Sequence, residues 1–184
     1  NAIVENYIDD MFSSIGANGI TIKDNENFSS YDKADGGWFG NIEYLNNASM
    51  YKVKMEVADT LVMNGVEDRE TVVEISNGWN WIPYLRSFSL SLDDAFANIE
   101  PQRNDQVKGQ NGFAMYNGTA WTGTLKALNP GKGYIYRNTT DEEKDLRYPE
   151  ARPVATSTLT LTRKLEHTRQ MEYTSMFDVV DPTL

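Results

Sequence analysis

The chain has no cysteine, so disulfides, thiolate catalysis and cysteine-held zinc are excluded. It has one histidine, His167, in the polar stretch Glu166-His167-Thr168. A nucleophilic triad or a histidine zinc site needs more than that. Basic residues are the minority, with 17 Lys+Arg against 27 Asp+Glu and a net charge of -10. That surface repels nucleic acid, whose binding rests on neutralising phosphates, and gains nothing from an anionic membrane. No apolar run reaches the roughly 18 residues that a membrane-spanning helix requires, so no membrane insertion is expected. Asn1-Ala2-Ile3-Val4 offers no basic region followed by an apolar stretch. Either the protein is cytoplasmic or, for an extracellular or cell-surface location, its export signal lies outside these residues.

What is present is an ordinary globular composition, 40% hydrophobic and 24% charged over 184 residues, with four Trp and ten Tyr. An internal repeat organises it. Ile8-Asp9-Asp10-Met11-Phe12-Ser13-Ser14-Ile15 aligns with Leu92-Asp93-Asp94-Ala95-Phe96-Ala97-Asn98-Ile99 at an offset of 84. Lys23, Phe28 and Tyr31 match Lys108, Phe113 and Tyr116 at 85. Trp38, Gly40, Leu45, Asn46 and Tyr51 match Trp121, Gly123, Leu128, Asn129 and Tyr134 at 83. The matches are collinear and need only small insertions.

Each copy opens with a short helix. Leu92, Ala95, Phe96 and Ile99 fall on one helical face, as do Ile8, Met11, Phe12 and Ile15. Ser91 and Asp94 have the spacing of a capping box, and the paired aspartates favour a helix N-terminus. Strands follow: Tyr51, Val53 and Met55 alternate with Lys52, Lys54 and Glu56. Asn117-Gly118 marks a hairpin turn between the strand ending at Tyr116 and the next at Trp121. Pro130-Gly131-Lys132-Gly133 releases Tyr134-Ile135-Tyr136. Thr60 to Met63 and Thr71 to Ile75 read as strands joined by a turn at Asn64-Gly65. In the tail, Ser157 to Thr162 and Met171 to Val180 read as a hairpin with no partner in the repeat. The expected fold is mostly β with short helices, a β-rich α+β class. It holds two copies of a small β unit, residues 1–75 and 76–148, each with one helix, and a C-terminal β-hairpin or adjoining domain over 149–184.

One series carries a resemblance. Asn77-Gly78-Trp79-Asn80-Trp81-Ile82 is followed by Leu92-Asp93-Asp94-Ala95-Phe96, Asp105-Gln106-Val107-Lys108-Gly109-Gln110, Gly112-Phe113-Ala114-Met115-Tyr116, Trp121-Thr122-Gly123-Thr124-Leu125 and Leu128-Asn129-Pro130-Gly131-Lys132-Gly133-Tyr134. This order resembles the Gly-Trp-Asn-Trp-Ile repeat modules of large secreted and surface proteins of Bacteroidetes and related gut or rumen bacteria. It covers roughly residues 7 to 150. The first copy departs from the pattern, lacking a Trp-Asn-Trp strand before its helix, and Pro83 stands where a Gly is expected. The resemblance implies secretion and modularity, with neighbouring domains of the same polypeptide as partners. It implies no reaction.

Nothing else points to catalysis. Asp9-Asp10 and Asp93-Asp94 are neighbours on a helix and cannot flank one bond. Gly131-Lys132-Gly133 lacks the spacing of a phosphate loop. Asp32-Lys33-Ala34-Asp35-Gly36 has a hint of calcium-loop composition but fails the EF-hand pattern. No catalytic residue, metal ligand or cofactor is assigned. The aromatics remain. Flat side chains pair with the C–H faces of sugars or with protein partners, and Trp79, Trp81, Tyr84, Tyr116 and Trp121 are the candidate ligand-binding residues. Tyr84, Tyr44 and Tyr116 are the tyrosines expected at the surface. The tryptophans stay open between core and contact, because Trp38 and Trp121 recur at equivalent places, as core residues do. Two functions follow: a non-catalytic module for adhesion, domain presentation or docking to a surface protein, or a carbohydrate-binding module for plant or host glycans.

Overall fold

The computed structural model describes residues 6–66, 69–150, 158–165 and 172–175. The chain opens with α1 (Ile8–Met11) and a 3-10 turn (Gly16–Asn18). Then come β1 (Gly19–Lys23), β2 (Phe28–Asp32), β3 (Gly37–Gly40), β4 (Met50–Met55) and β5 (Asp59–Val66). A second series holds β6 (Val73–Ile75), β7 (Gly78–Pro83), β8 (Leu90–Ser91), α2 (Leu92–Ala95) and a 3-10 turn (Ala97–Ile99). It continues through β9 (Gln106–Gly109), β10 (Gly112–Tyr116), β11 (Trp121–Gly123), β12 (Ala127–Leu128), β13 (Gly133–Asn138) and β14 (Lys144–Leu146). Last are β15 (Thr158–Leu165) and β16 (Glu172–Ser175). The chain is mostly β with two short helices, as its period-two runs predict.

Two five-stranded antiparallel sheets dominate, ordered β16-β4-β1-β2-β3 and β11-β10-β9-β13-β7. Read from the β7 edge, the second order matches the first strand for strand. The registers match as well. Ile22 faces Ser29 and Val53 in the first sheet, and Val107 faces Ala114 and Tyr136 in the second. Tyr31 faces Trp38 as Tyr116 faces Trp121.

Alternation sets which side chains enter each core. Tyr51, Val53 and Met55 point inward beside Ile22, under Ile8, Phe12 and Ile15. Val107, Ala114, Tyr134 and Tyr136 do the same beneath Leu92, Phe96 and Ile99. Each fully buried large apolar side chain contributes about 1.5–3 kcal/mol. Phe12 meets the edge of Trp38 at 5.5 Å, and Phe96 lies 5.4 Å from Trp121. Two glycines let β3 and β11 approach their neighbours. Gly40 has φ +151°, and a Cβ there would sit 2.4 Å from the Phe28 carbonyl oxygen. Gly123 has φ +147° and the corresponding distance to Phe113 is 2.2 Å.

Three expectations about pairing are corrected. Thr60 to Met63 and Thr71 to Ile75 are not joined as a hairpin: β5 runs straight through Asn64-Gly65, and β6 pairs with β14. Val73 and Ile75 pack in the second core, which therefore begins before residue 76. The two tail strands do not pair with each other. β15 lies along the whole of β5, and β16 lies on β4, where Thr174 faces Tyr51 as Ile82 faces Tyr134. At the edge where the second sheet has Gly78–Pro83, the first sheet has Glu172–Ser175. Of the expected strand from Met171 to Val180, only Glu172–Ser175 lies within the described residues.

Hydrogen exchange tests this closure. Cutting the chain after Glu150 removes both β15 and β16. The amides of β4 and β5 are expected to exchange faster, while those of β9 and β13 keep their protection. Unchanged exchange in β4 would show that the tail is not its partner.

Candidate functional site: a polar and aromatic cleft between the sheets

The two sheets meet through their outer faces, β4 and β16 against β7 and β13. Trp79 and Trp81 project from that face of β7, because strand alternation puts them on one side and Asn80 on the other. Their rings are covered by cations. Lys52 Nζ lies 4.1 Å from the Trp81 ring centre and Lys23 Nζ 5.7 Å, both reaching across from the first sheet. Lys108 Nζ lies 3.9 Å from the Trp79 ring centre and Arg137 5.8 Å. Such contacts contribute about 0.5–1 kcal/mol at exposed sites. Asn80 accepts from Ser76 N–H at 2.9 Å and donates to the Ser76 and Gly78 carbonyls, which closes the turn before β7.

Beside Trp81 opens a cleft of about 370 Å³, within the range of small-ligand sites of about 300–1,000 Å³. One wall is the β1–β2 turn, Asp24 to Asn27. The other is the segment Asn41 to Ser49, with Met50 and Tyr51 at the floor and Trp81 from the second sheet. The turn folds because Asp24 accepts from the amides of Glu26 at 2.8 Å and Asn27 at 2.6 Å. At the floor, the Tyr51 hydroxyl accepts from Asn46 N–H at 2.8 Å, and burial holds its pKa above the ordinary phenol value. The second sheet repeats that bond, Asn129 N–H to the Tyr134 hydroxyl at 2.8 Å. Tyr44 stands on the rim, 62% exposed.

The sequence-predicted residues divide. Trp79 is 44% exposed and Trp81 partly buried; both lie on the outer face, and Trp81 alone of the five lines the cleft. Tyr116 and Trp121 are partly buried against the helix side of the second sheet, 5.3 Å apart, where Trp121 packs on the core. Trp38 is buried in the first core. Tyr84 is fully buried, which overturns its expected exposure. Its hydroxyl donates to the Phe88 carbonyl at 2.6 Å, its ring meets Tyr148 edge-on at 5.0 Å, and burial raises its pKa well above the ordinary value. Arg86 next to it donates to the carbonyls of Leu85, Tyr148 and Pro149, fastening the chain there. His167 lies outside the described residues.

The aspartates behave as anchors. Ser91 accepts from Asp94 N–H at 3.1 Å, the N-cap half of the capping box the spacing predicts, while the Asp94 carboxylate accepts from the Ser91 hydroxyl at 2.6 Å in place of the Ser91 backbone N–H. Asp9 instead accepts from Trp38 N–H at 3.0 Å, tying α1 to β3. Asp32 accepts from Ala34 N–H at 2.8 Å within its own turn. No cluster of three or more potential metal ligands occurs among the described residues.

Sequence reading missed Asp105, which is completely buried. One carboxylate oxygen accepts from Gln102 N–H at 2.9 Å and the Tyr136 hydroxyl at 2.7 Å. The other accepts from Thr139 N–H at 2.9 Å and its hydroxyl at 2.6 Å. Lys144 Nζ lies 3.9 Å away. Burial pushes the pKa of this acid up, but the hydrogen bonds from Thr139, Gln102 and Tyr136 outweigh it and hold the value below the ordinary range. The only sequence signal was an Asp before an apolar strand. No helix among the described residues is long and apolar enough to cross a membrane.

No protein-family model, curated protein or solved structure matches this chain.

Two measurements check these assignments. Because the pKa of Asp105 is depressed on folding, its stabilisation is present above about pH 4 and fades as pH falls through the folded value. Asp105→Asn is expected to cost about 2–3 kcal/mol at pH 7 and visibly less at pH 3 in urea melts. A gap of equal size at both pH values would refute the network. Iodide quenching of tryptophan fluorescence is expected to reach Trp79 first, so Trp79→Phe removes most of the quenchable emission and Trp38→Phe removes little; the reverse pattern would invert the burial order.

Proposed function

We propose that the chain is a non-catalytic module of a secreted or cell-surface bacterial protein, a duplicated β unit of the Gly-Trp-Asn-Trp-Ile repeat kind, serving adhesion, domain presentation or docking. One observation carries this reading. Phe28 faces Lys23 across β1 and β2, and Phe113 faces Lys108 across β9 and β10, at corresponding register positions. Residues repeated for the sake of a core are buried, as Ile22 and Val107 are. These phenylalanines are 58% and 39% exposed. An apolar ring kept on the solvent side of both sheets beside a lysine suits a protein neighbour, since aromatic side chains are enriched at interfaces.

A second reading, carbohydrate binding, is favoured by the cleft that joins Tyr44 and Trp81. Aromatic rings and side-chain amides around one small concavity are what a sugar requires.

Small-angle scattering of the chain joined to the flanking domains of its parent polypeptide tests docking. A docked module is expected to give one compact particle that loosens when Phe28→Ser and Phe113→Ser are combined. Free tumbling of the unsubstituted module would end the docking proposal.

A further inference from the structure

We infer that the cleft between Tyr44 and Trp81 is a binding site for a neutral saccharide, an inference that rests on the carbohydrate-binding reading above. Three observations point there.

The first is the aromatic platform. Tyr44 is exposed, yet its backbone is fixed. It forms an antiparallel bridge with Tyr7, flanked by Ile8 N–H to the Glu43 carbonyl at 2.9 Å and Leu45 N–H to the Asn6 carbonyl at 2.8 Å. The Tyr7 ring lies 5.6 Å from the Tyr44 ring and supports it. A surface ring held in place this way loses little entropy when a ligand stacks on it. Trp81 also lines the cleft, but Lys52 lies over its ring, so Tyr44 is the ring open to stacking.

The second is the chemistry between the rings. Asn25 and Asn41 line the cleft and are exposed, and neither side-chain amide has a protein hydrogen-bond partner among the described residues. Each offers two donors and an acceptor. A sugar hydroxyl is itself donor and acceptor, so amides satisfy it in either sense. Asp24 and Glu26 in the cleft wall offset the Lys23 and Lys52 cations beside Trp81, leaving no local surplus of positive charge, and the chain carries a net charge of -10. Both facts disfavour uronic acids and sulfated or sialylated glycans. The ligand class is therefore neutral.

The third is that the two sheets differ at this place. The floor is shared, since Tyr51 and Tyr134 make the same bond. The rim is not: Tyr44 is replaced by Ala127, Asn41 by Thr124 and Asp24 by Gly109 at the corresponding positions of the second sheet. A feature needed to build the sheet would occur in both. Asn25 has an amide counterpart in Gln110, but the Tyr44 platform and the Asn41 amide occur on one side only, in the cleft that Trp81 also lines.

Affinity electrophoresis of the whole chain tests the assignment, using gels with barley mixed-linkage β-glucan, arabinoxylan or polygalacturonate. Retardation is expected in at least one neutral gel and not in polygalacturonate. Tyr44→Ala and Asn41→Ala are each expected to weaken it by about tenfold, Tyr44→Phe to preserve it, and Phe39→Ala, an exposed ring elsewhere, to leave it unchanged. Circular dichroism melts confirm that each variant folds. Neutral-gel retardation that ignores both Tyr44→Ala and Asn41→Ala would overturn this site and leave carbohydrate binding standing. Retardation in polygalacturonate alone would overturn the neutral class. No retardation in any of the three gels would remove both the site and the reading beneath it.

Discussion

An interior β-strand needs a hydrogen-bonding neighbour on each side, and β4 is where that requirement is hardest to meet. It takes β1 from its own segment and β16 from the far end of the chain. Much else hangs on this one strand. Its inward side chains, Tyr51, Val53 and Met55, form the base of the first core. Its outward Lys52 reaches the ring of Trp81. Its first residues, Met50 and Tyr51, are the floor of the cleft. Losing the partner on the β16 side exposes an edge, and the same event loosens the core, the contact between sheets and the site together.

The second sheet meets the same requirement locally. β13 lies between β9 and β7, and all three fall within 61 residues, from Gly78 to Asn138. Closing a shorter loop costs less entropy, although the cost grows only slowly with length. The difference in connection thus matters more for the order of folding than for final stability. The second sheet also holds the buried Asp105 network. At the places of Asp105 and Tyr136 the first sheet has Ile20 and Val53, so its core does without a buried charge there.

Period and spacing made local structure legible. The alternation of Tyr51, Val53 and Met55, the helical stripe of Leu92, Ala95, Phe96 and Ile99, and the Asn117-Gly118 turn all appear where the patterns place them. Pairing partners were less legible. Nothing in Thr158–Leu165 names β5 as its neighbour, because a period-two pattern states which face is buried and not which strand lies alongside. The burial of Tyr84 is not legible locally, because its hydroxyl is satisfied in the interior by the Phe88 carbonyl. The cleft was legible only in pieces. Asp24 to Asn27 reads as turn chemistry, and Tyr44 as a lone tyrosine. Their convergence with Trp81 depends on how two sheets meet, which no local window contains.

The aromatics at matching positions of the two sheets differ in what packing demands of them. Trp38 and Trp121 recur, and each packs against a helix phenylalanine at nearly the same distance, 5.5 and 5.4 Å. Here recurrence follows from packing, because a side chain wedged between helix and sheet has little freedom to change size. Phe28 and Phe113 recur without being buried, so packing does not account for them. Tyr44 is exposed and does not recur, so neither packing nor the shared framework accounts for it. A side chain in that last category is free of every structural demand the two sheets have in common. Its backbone is nonetheless held by hydrogen bonds to Asn6 and Ile8 on either side. Fixed geometry without a shared packing role is the combination from which the saccharide site was inferred.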